Sequence, residues 1–119
     1  MDELTPEELA TLRAALDALE ADLRAQLSSS AAGAQPVDLA EPIGRLSRME
    51  AIQQQSMTRA NRSAAQRRLQ QIAAAKQRID RDAYGDCADC GEGIGFERLT
   101  VRPEAPLCIG CQGLREGRR

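Results

Sequence analysis

Residues 87–111 read CADCGEGIGFERLTVRPEAPLCIGC. They hold every cysteine of the chain, as two C-x2-C pairs, Cys87/Cys90 and Cys108/Cys111, with seventeen residues between the pairs. A gap of two residues lets one tight turn present both thiolates of a pair to the same ion. Zinc takes four such soft ligands in a tetrahedron. Gly91, directly after Cys90, lets the backbone turn beneath the metal without a Cβ clash. The spacer is long enough for a short β-hairpin, with FERLTV (96–101) as one arm, that returns the second pair to the first. Two disulfides are the competing reading, but paired cysteines stay reduced inside a cell. A redox C-x-x-C needs a βαβ setting that the surrounding sequence lacks. With four sulfurs and no histidine the zinc site is closed, hence structural. A unit this small has little core, so one zinc ion supplies most of its folding free energy.

Working upstream, RDAYGDC (81–87) predicts the end of a helix, with Gly85 as its C-cap and Tyr84 and Phe96 available to cover that end. The helix starts near Ser47, where Ser47 and Glu50 form a capping box behind Leu46. It runs to about Asp82 without proline or glycine, roughly 50 Å at 1.5 Å per residue. Its apolar positions are sparse: Met49, Ile52, Met57, Leu69, Ile72 and Ile79, with Ala60, Ala64 and Ala65 between. Residues 31–46, AAGAQPVDLAEPIGRL, read as a loop rich in proline and glycine. Before it, Thr5, Pro6 and Glu8 open a first helix over about 6–30. Leu9, Leu12, Leu16, Leu19, Leu23 and Leu27 recur on it every three or four residues, a narrow stripe for one partner. The expected fold is therefore mostly α. An antiparallel coiled-coil helical hairpin (1–82) precedes a small C-terminal four-cysteine zinc finger (83–119) with a short β-hairpin and a terminal helix.

Charge supports the hairpin. Residues 1–30 carry seven acids and two bases; residues 43–81 carry nine bases and two acids. Helices so charged attract each other, though exposed pairs contribute only about 0.2–1 kcal/mol apiece. The row Arg59, Arg62, Arg67 and Arg68 can also be read as a nucleic-acid surface. Aromatic residues make up 2% of the 119, too few for base stacking, so direct DNA binding is not expected. No apolar run reaches the length that spans a bilayer, and the acidic start MDELTPEELA has no apolar h-region. A cytoplasmic protein is expected. There is no histidine, P-loop or nucleophile elbow, so no enzyme is expected.

The stretch DAYGDCADCGEGIGFERLTVRPEAPLCIGCQ (82–112) resembles the zinc finger of the DksA/TraR family. It shares YG before the first cysteine, then CxxCGxxIGxxRL and RPxAxLCIxCQ. The resemblance implies a short bacterial transcription regulator that binds RNA polymerase. The hairpin would enter the secondary channel toward the catalytic magnesium and the finger would stay at the rim. Family regulators carry D-x-x-D-x-A at the hairpin tip. Counting back along an unbroken second helix places GRLSRM there, with Gly44 and Ser47 at the acidic positions. The tip residues this points to are Asp38, Glu41, Arg45, Ser47, Arg48 and Glu50. Arg102 matches a basic finger residue implicated in polymerase or nucleotide contact. Some members act with ppGpp; Gln71 and Gln112 leave Arg102 without basic neighbours, so a ppGpp response is not expected here. The alternative is a zinc-finger scaffold serving another partner, nucleic acid among them, without activity at the tip.

Overall fold

The computed structural model describes residues 3–31 and 45–117. The fold is mostly α, with helices α1 (Pro6–Ser30), α2 (Arg45–Asp80), α3 (Phe96–Val101) and α4 (Ile109–Glu116). By contacts the chain forms two units, Met1–Glu20 with Arg68–Arg119, and Ala21–Arg67.

The start of α1 follows from its first four residues. Thr5 N–H donates to Glu8 Oε1 at 3.0 Å, and Glu8 N–H donates to Thr5 Oγ1 at 3.1 Å, so both bonds of the capping box form. Pro6 at the first helical position loses no hydrogen bond, because that N–H would lack an intrahelical partner.

In the first unit the leucine stripe of α1 meets the last third of α2. Leu12 and Leu16 are wholly buried, as are Ile72 and Ala75, with Ile79 nearly so. Lys76 Nζ lies 2.5 Å from Asp17 and 2.9 Å from Glu20, and Arg13 reaches Asp80 at 3.5 Å. Rising numbers on α1 thus meet falling numbers on α2, and the helices are antiparallel. The bonds to Asp17 and then Glu20 hold the Lys76 ammonium above its ordinary pKa, and the bond to Lys76 holds the Asp17 carboxyl below its own.

In the second unit only Leu23 and Ala65 are buried among the described apolar residues. The α1 helix has no basic residue in its last turn. Arg62 of α2 takes that place: its Nη1 donates to the Leu27 carbonyl and, at 2.9 Å, to Ser30 Oγ. A cation from the opposite helix thereby satisfies an orphan carbonyl at a negative helix end.

Four expectations are corrected here. The α2 helix begins at Arg45, so Ser47 lies inside it and not at its start. It ends at Asp80, and the cap is Asp82, not Gly85. Asp82 sits at φ 56, with Ala83 N–H on the Arg78 carbonyl (2.8 Å) and Asp82 N–H on the Ile79 carbonyl (3.1 Å). That is the paired bonding of a Schellman end, and aspartate is one of the few side chains that tolerates its left-handed position. Met49, Ile52 and Met57 do not join the seam; they are 59%, 41% and 54% exposed. Finally, FERLTV is helix α3, not a β arm. Leu99 on its inner face is wholly buried, and a helix points it inward while Thr100 and Val101 face water. The expected β-hairpin reduces, among the described residues, to one antiparallel bridge between Asp86 and Gly93.

Candidate metal centre

The first cysteine pair sits on a turn closed by Gly91 N–H donating to the Cys87 carbonyl at 3.0 Å, with Gly91 at φ 77. Cys87 N–H donates to the Glu92 carbonyl at 2.8 Å, and Ile94 N–H to the Gly85 carbonyl at 2.7 Å, which anchors the turn beside the end of α2. Gly85 is at φ 100, and a Cβ there would stand 3.1 Å from Leu4 Cδ1. This glycine therefore serves the approach of the N-terminal segment.

The second pair is presented by α4. Cys108 is its N-cap and accepts from Cys111 N–H at 3.4 Å. Between the pairs, Ala88 N–H donates to the Pro106 carbonyl (2.9 Å), and Arg98 Nε to the Leu107 carbonyl (3.0 Å). Arg115 of α4 grips Asp89 with two bonds, 2.8 and 2.6 Å. Tyr84 hydroxyl donates to the Pro103 carbonyl at 2.7 Å.

All four Sγ atoms lie within 4.8 Å of one another, and Cys90 and Cys108 are 3.8 Å apart. Ligands about 2.3 Å from a tetrahedral zinc stand about 3.8 Å from each other. The sulfurs thus fit one zinc ion. The chemistry of the donors agrees. Burial works to raise the Cys87 thiol, but backbone N–H groups of Cys90, Cys108 and Asp89 outweigh it and bring it down to about 6. The neighbouring sulfurs, Cys108 foremost, push Cys111 up to about 12. Four sulfurs this close cannot all ionise without a cation; a dication removes that conflict.

Known proteins match this site. Residues 83–117 match the family model described as the prokaryotic DksA/TraR C4-type zinc finger. That segment is a DksA/TraR C4-type zinc finger. The DksA protein of Haemophilus influenzae, an RNA polymerase-binding transcription factor, is 43% identical over 56 residues, 47% of this chain and 39% of that protein. The Escherichia coli factor of the same name is 29% identical over 111 residues, 92% of this chain and 72% of that protein. The chain thus spans well under half of the first of these relatives. The solved structure of transcription factor DksA2 from Pseudomonas aeruginosa superposes with a TM-score of 0.66 at 26% identity, covering 95% of this chain and 86% of that one. As a C4-type finger of this family, the site takes one structural zinc, for which the sulfur spacing fits. No helix of the described residues is long and apolar enough to cross a membrane.

The remaining expected site residues are scattered. Asp38 and Glu41 lie outside the described residues. Arg45, Ser47, Arg48 and Glu50 follow one another in the first turns of α2, Glu50 exposed and Arg48 half-exposed. Arg102 is exposed at the end of α3, on a depression of about 320 Å3 shared with Arg98, Ile109, Gln112 and Glu116. Gln112 bonds Glu116 there at 2.9 Å. Of the basic row on α2, Arg62 caps α1, and Arg68 pairs with Glu104 at 2.8 Å. Sequence reading missed Glu104, Asp89 and Arg115. Glu104 pairs across 36 residues and Asp89 with Arg115 across 26, and no short-range pattern marks such pairs.

Proposed function

We propose that this chain is a DksA-like transcription regulator that binds RNA polymerase through the secondary channel, with the hairpin tip toward the active centre. One observation carries the reading. The likeness to the E. coli polymerase-binding factor does not stop at the finger but covers 92% of this chain, the helical pair included. In this reading residues 1–82 are the inserted hairpin and residues 83–119 the rim-side finger, with Cys87, Cys90, Cys108 and Cys111 as zinc ligands. Asp38, Glu41, Arg45, Ser47, Arg48 and Glu50 approach the active centre, and Arg102 faces the polymerase rim. The protein acts in the cytoplasm, carries no catalytic activity of its own and does not respond to ppGpp. The reading as a nucleic-acid module is disfavoured, because Arg62 and Arg68 spend their hydrogen bonds inside the chain.

The test is direct. Fluorescently labelled protein titrated with core RNA polymerase should give saturable binding at micromolar concentration or below, and should alter initiation at a ribosomal promoter. Absence of binding at micromolar polymerase overturns the proposal. A steep salt-dependent affinity for free DNA or RNA in its place would favour the nucleic-acid module.

A further inference from the structure

Glu104 lies between α3 and α4, four residues before Cys108, and its side chain has no exposed surface. One carboxylate oxygen accepts from Arg68 Nε at 2.8 Å; the other is buried with no hydrogen-bond partner among the described residues. A buried carboxylate normally collects several donors. Here one cation from α2 carries it. The segment around Glu104 is equally committed. Pro103, Ala105 and Leu107 are buried, and their stretch is bonded to Tyr84, to Ala88 beside Cys87, and to Arg98. Residues 103–107 thus form a strap that touches the first ligand pair through Ala88 and runs directly into the second at Cys108.

We infer that Arg68 and Glu104 are positioning residues of the metal site: their ion pair pins the strap so that Cys108 stays in register with Cys87. Without Arg68 the carboxylate is buried without a counter-charge and must move to water. The strap moves with it, and with the strap go the Ala88–Pro106 bond and the sulfur geometry. Arg68 stands nineteen residues before the first ligand and outside the stretch that matches the zinc-finger model. Metal retention is therefore set in part by the helical hairpin. Loss of an outer-layer support of this kind typically weakens a metal site about 10- to 100-fold.

The experiment uses full-length zinc-loaded protein, with zinc transfer to a chromophoric chelator followed in time and amide exchange at Ala88 and Ala105 measured in parallel. Arg68→Met should speed zinc transfer at least about ten-fold and expose both amides. The double variant Arg68→Met/Glu104→Gln should transfer zinc more slowly than Arg68→Met alone, because it no longer buries a lone charge. Lys76→Met, which removes a different ion pair from the same helix, should leave transfer within about two-fold and separates the strap from general loosening of the hairpin. If Arg68→Met does not fold, Arg68→Lys is read instead, with the cobalt-substituted thiolate spectrum as signature. A shifted spectrum supports the inference and an unchanged one opposes it. Transfer rates within about two-fold of the parent for every variant, or equal acceleration by Lys76→Met, overturn it.

Discussion

The two halves of the helical pair are made of the same two helices yet are held differently. In the unit that contains the finger, α1 and α2 bury five apolar side chains almost completely and cross-link through Lys76. Among the described residues of 21–67 two are buried, while Met49, Ile52 and Met57 lie open. There the pairing leans on a polar clamp, Arg62 on the last turn of α1. Sequence accounts for the contrast. The leucine repeat continues along α1, but α2 answers it with isoleucine and alanine only from Ala65 onward. One half is fixed by dispersion and dehydration, the other by a few directional bonds. Local stability should follow that division.

The contrast can be broken at several points, beginning with the metal. Chelating zinc, or Cys108→Ser, should unfold the finger, since structural zinc supplies on the order of 10 kcal/mol in small modules. Circular dichroism should lose only the share of α3 and α4, 6 and 8 residues, while α1 and α2 persist. Wholesale loss of helix would show that the pair does not stand without the finger. Next, Leu16→Ala should cost about 2–5 kcal/mol in urea unfolding, whereas Met57→Ala should stay within about 0.5 kcal/mol. Equal costs would erase the difference between the halves.

Burial pushes the Tyr84 hydroxyl up to about 12, opposed by Arg78 and helped by Glu104. A phenol raised in the folded state contributes its full stability below its unfolded pKa near 10 and loses it as pH rises through about 12. With allowance for solvent screening of a half-buried group, about 1–2 kcal/mol should disappear across that window. Tyr84→Phe should cost about 1 kcal/mol at neutral pH and flatten the alkaline loss; an unchanged profile would place the loss elsewhere. Arg62→Ala should cost about 1 kcal/mol, seen as faster amide exchange confined to residues 21–67. The smallest effect belongs to Asp17. Its lowered pKa stabilises above about pH 4, its ordinary value, and that contribution fades as pH falls through the folded value. Asp17→Asn should remove this fraction of the acid sensitivity, measured as the shift in acid midpoint.

Much of this was legible in advance. The Thr5–Glu8 box, the leucine stripe and the C-x2-C spacing each encode their outcome within a few residues. What escaped depends on distance or on competition. FERLTV carries the phenylalanine, threonine and valine of a strand, yet burial of Leu99 selects the helix. Asp82 and Gly85 both offer a stop for α2, and the backbone uses the former for the cap and the latter to admit Leu4. The α2 sequence places apolar residues at Met49, Ile52 and Met57 without saying that the partner helix fails to cover them. Arg68–Glu104 and Asp89–Arg115 exist only once the chain has folded back on itself. The tip residues gain no support from spacing, because a tip becomes a site only when its partner is present.

The fork between Arg115 and Asp89 has a kinetic consequence. It joins the helix that bears one thiol pair to the turn that bears the other, by a route that does not pass through the ion. When zinc departs briefly, the two halves remain tethered at high effective concentration, and recapture competes with scavenging by outside ligands. Raising the ionic strength loosens that tether and slows recapture, so the finger should surrender its metal more readily in concentrated salt than in dilute buffer.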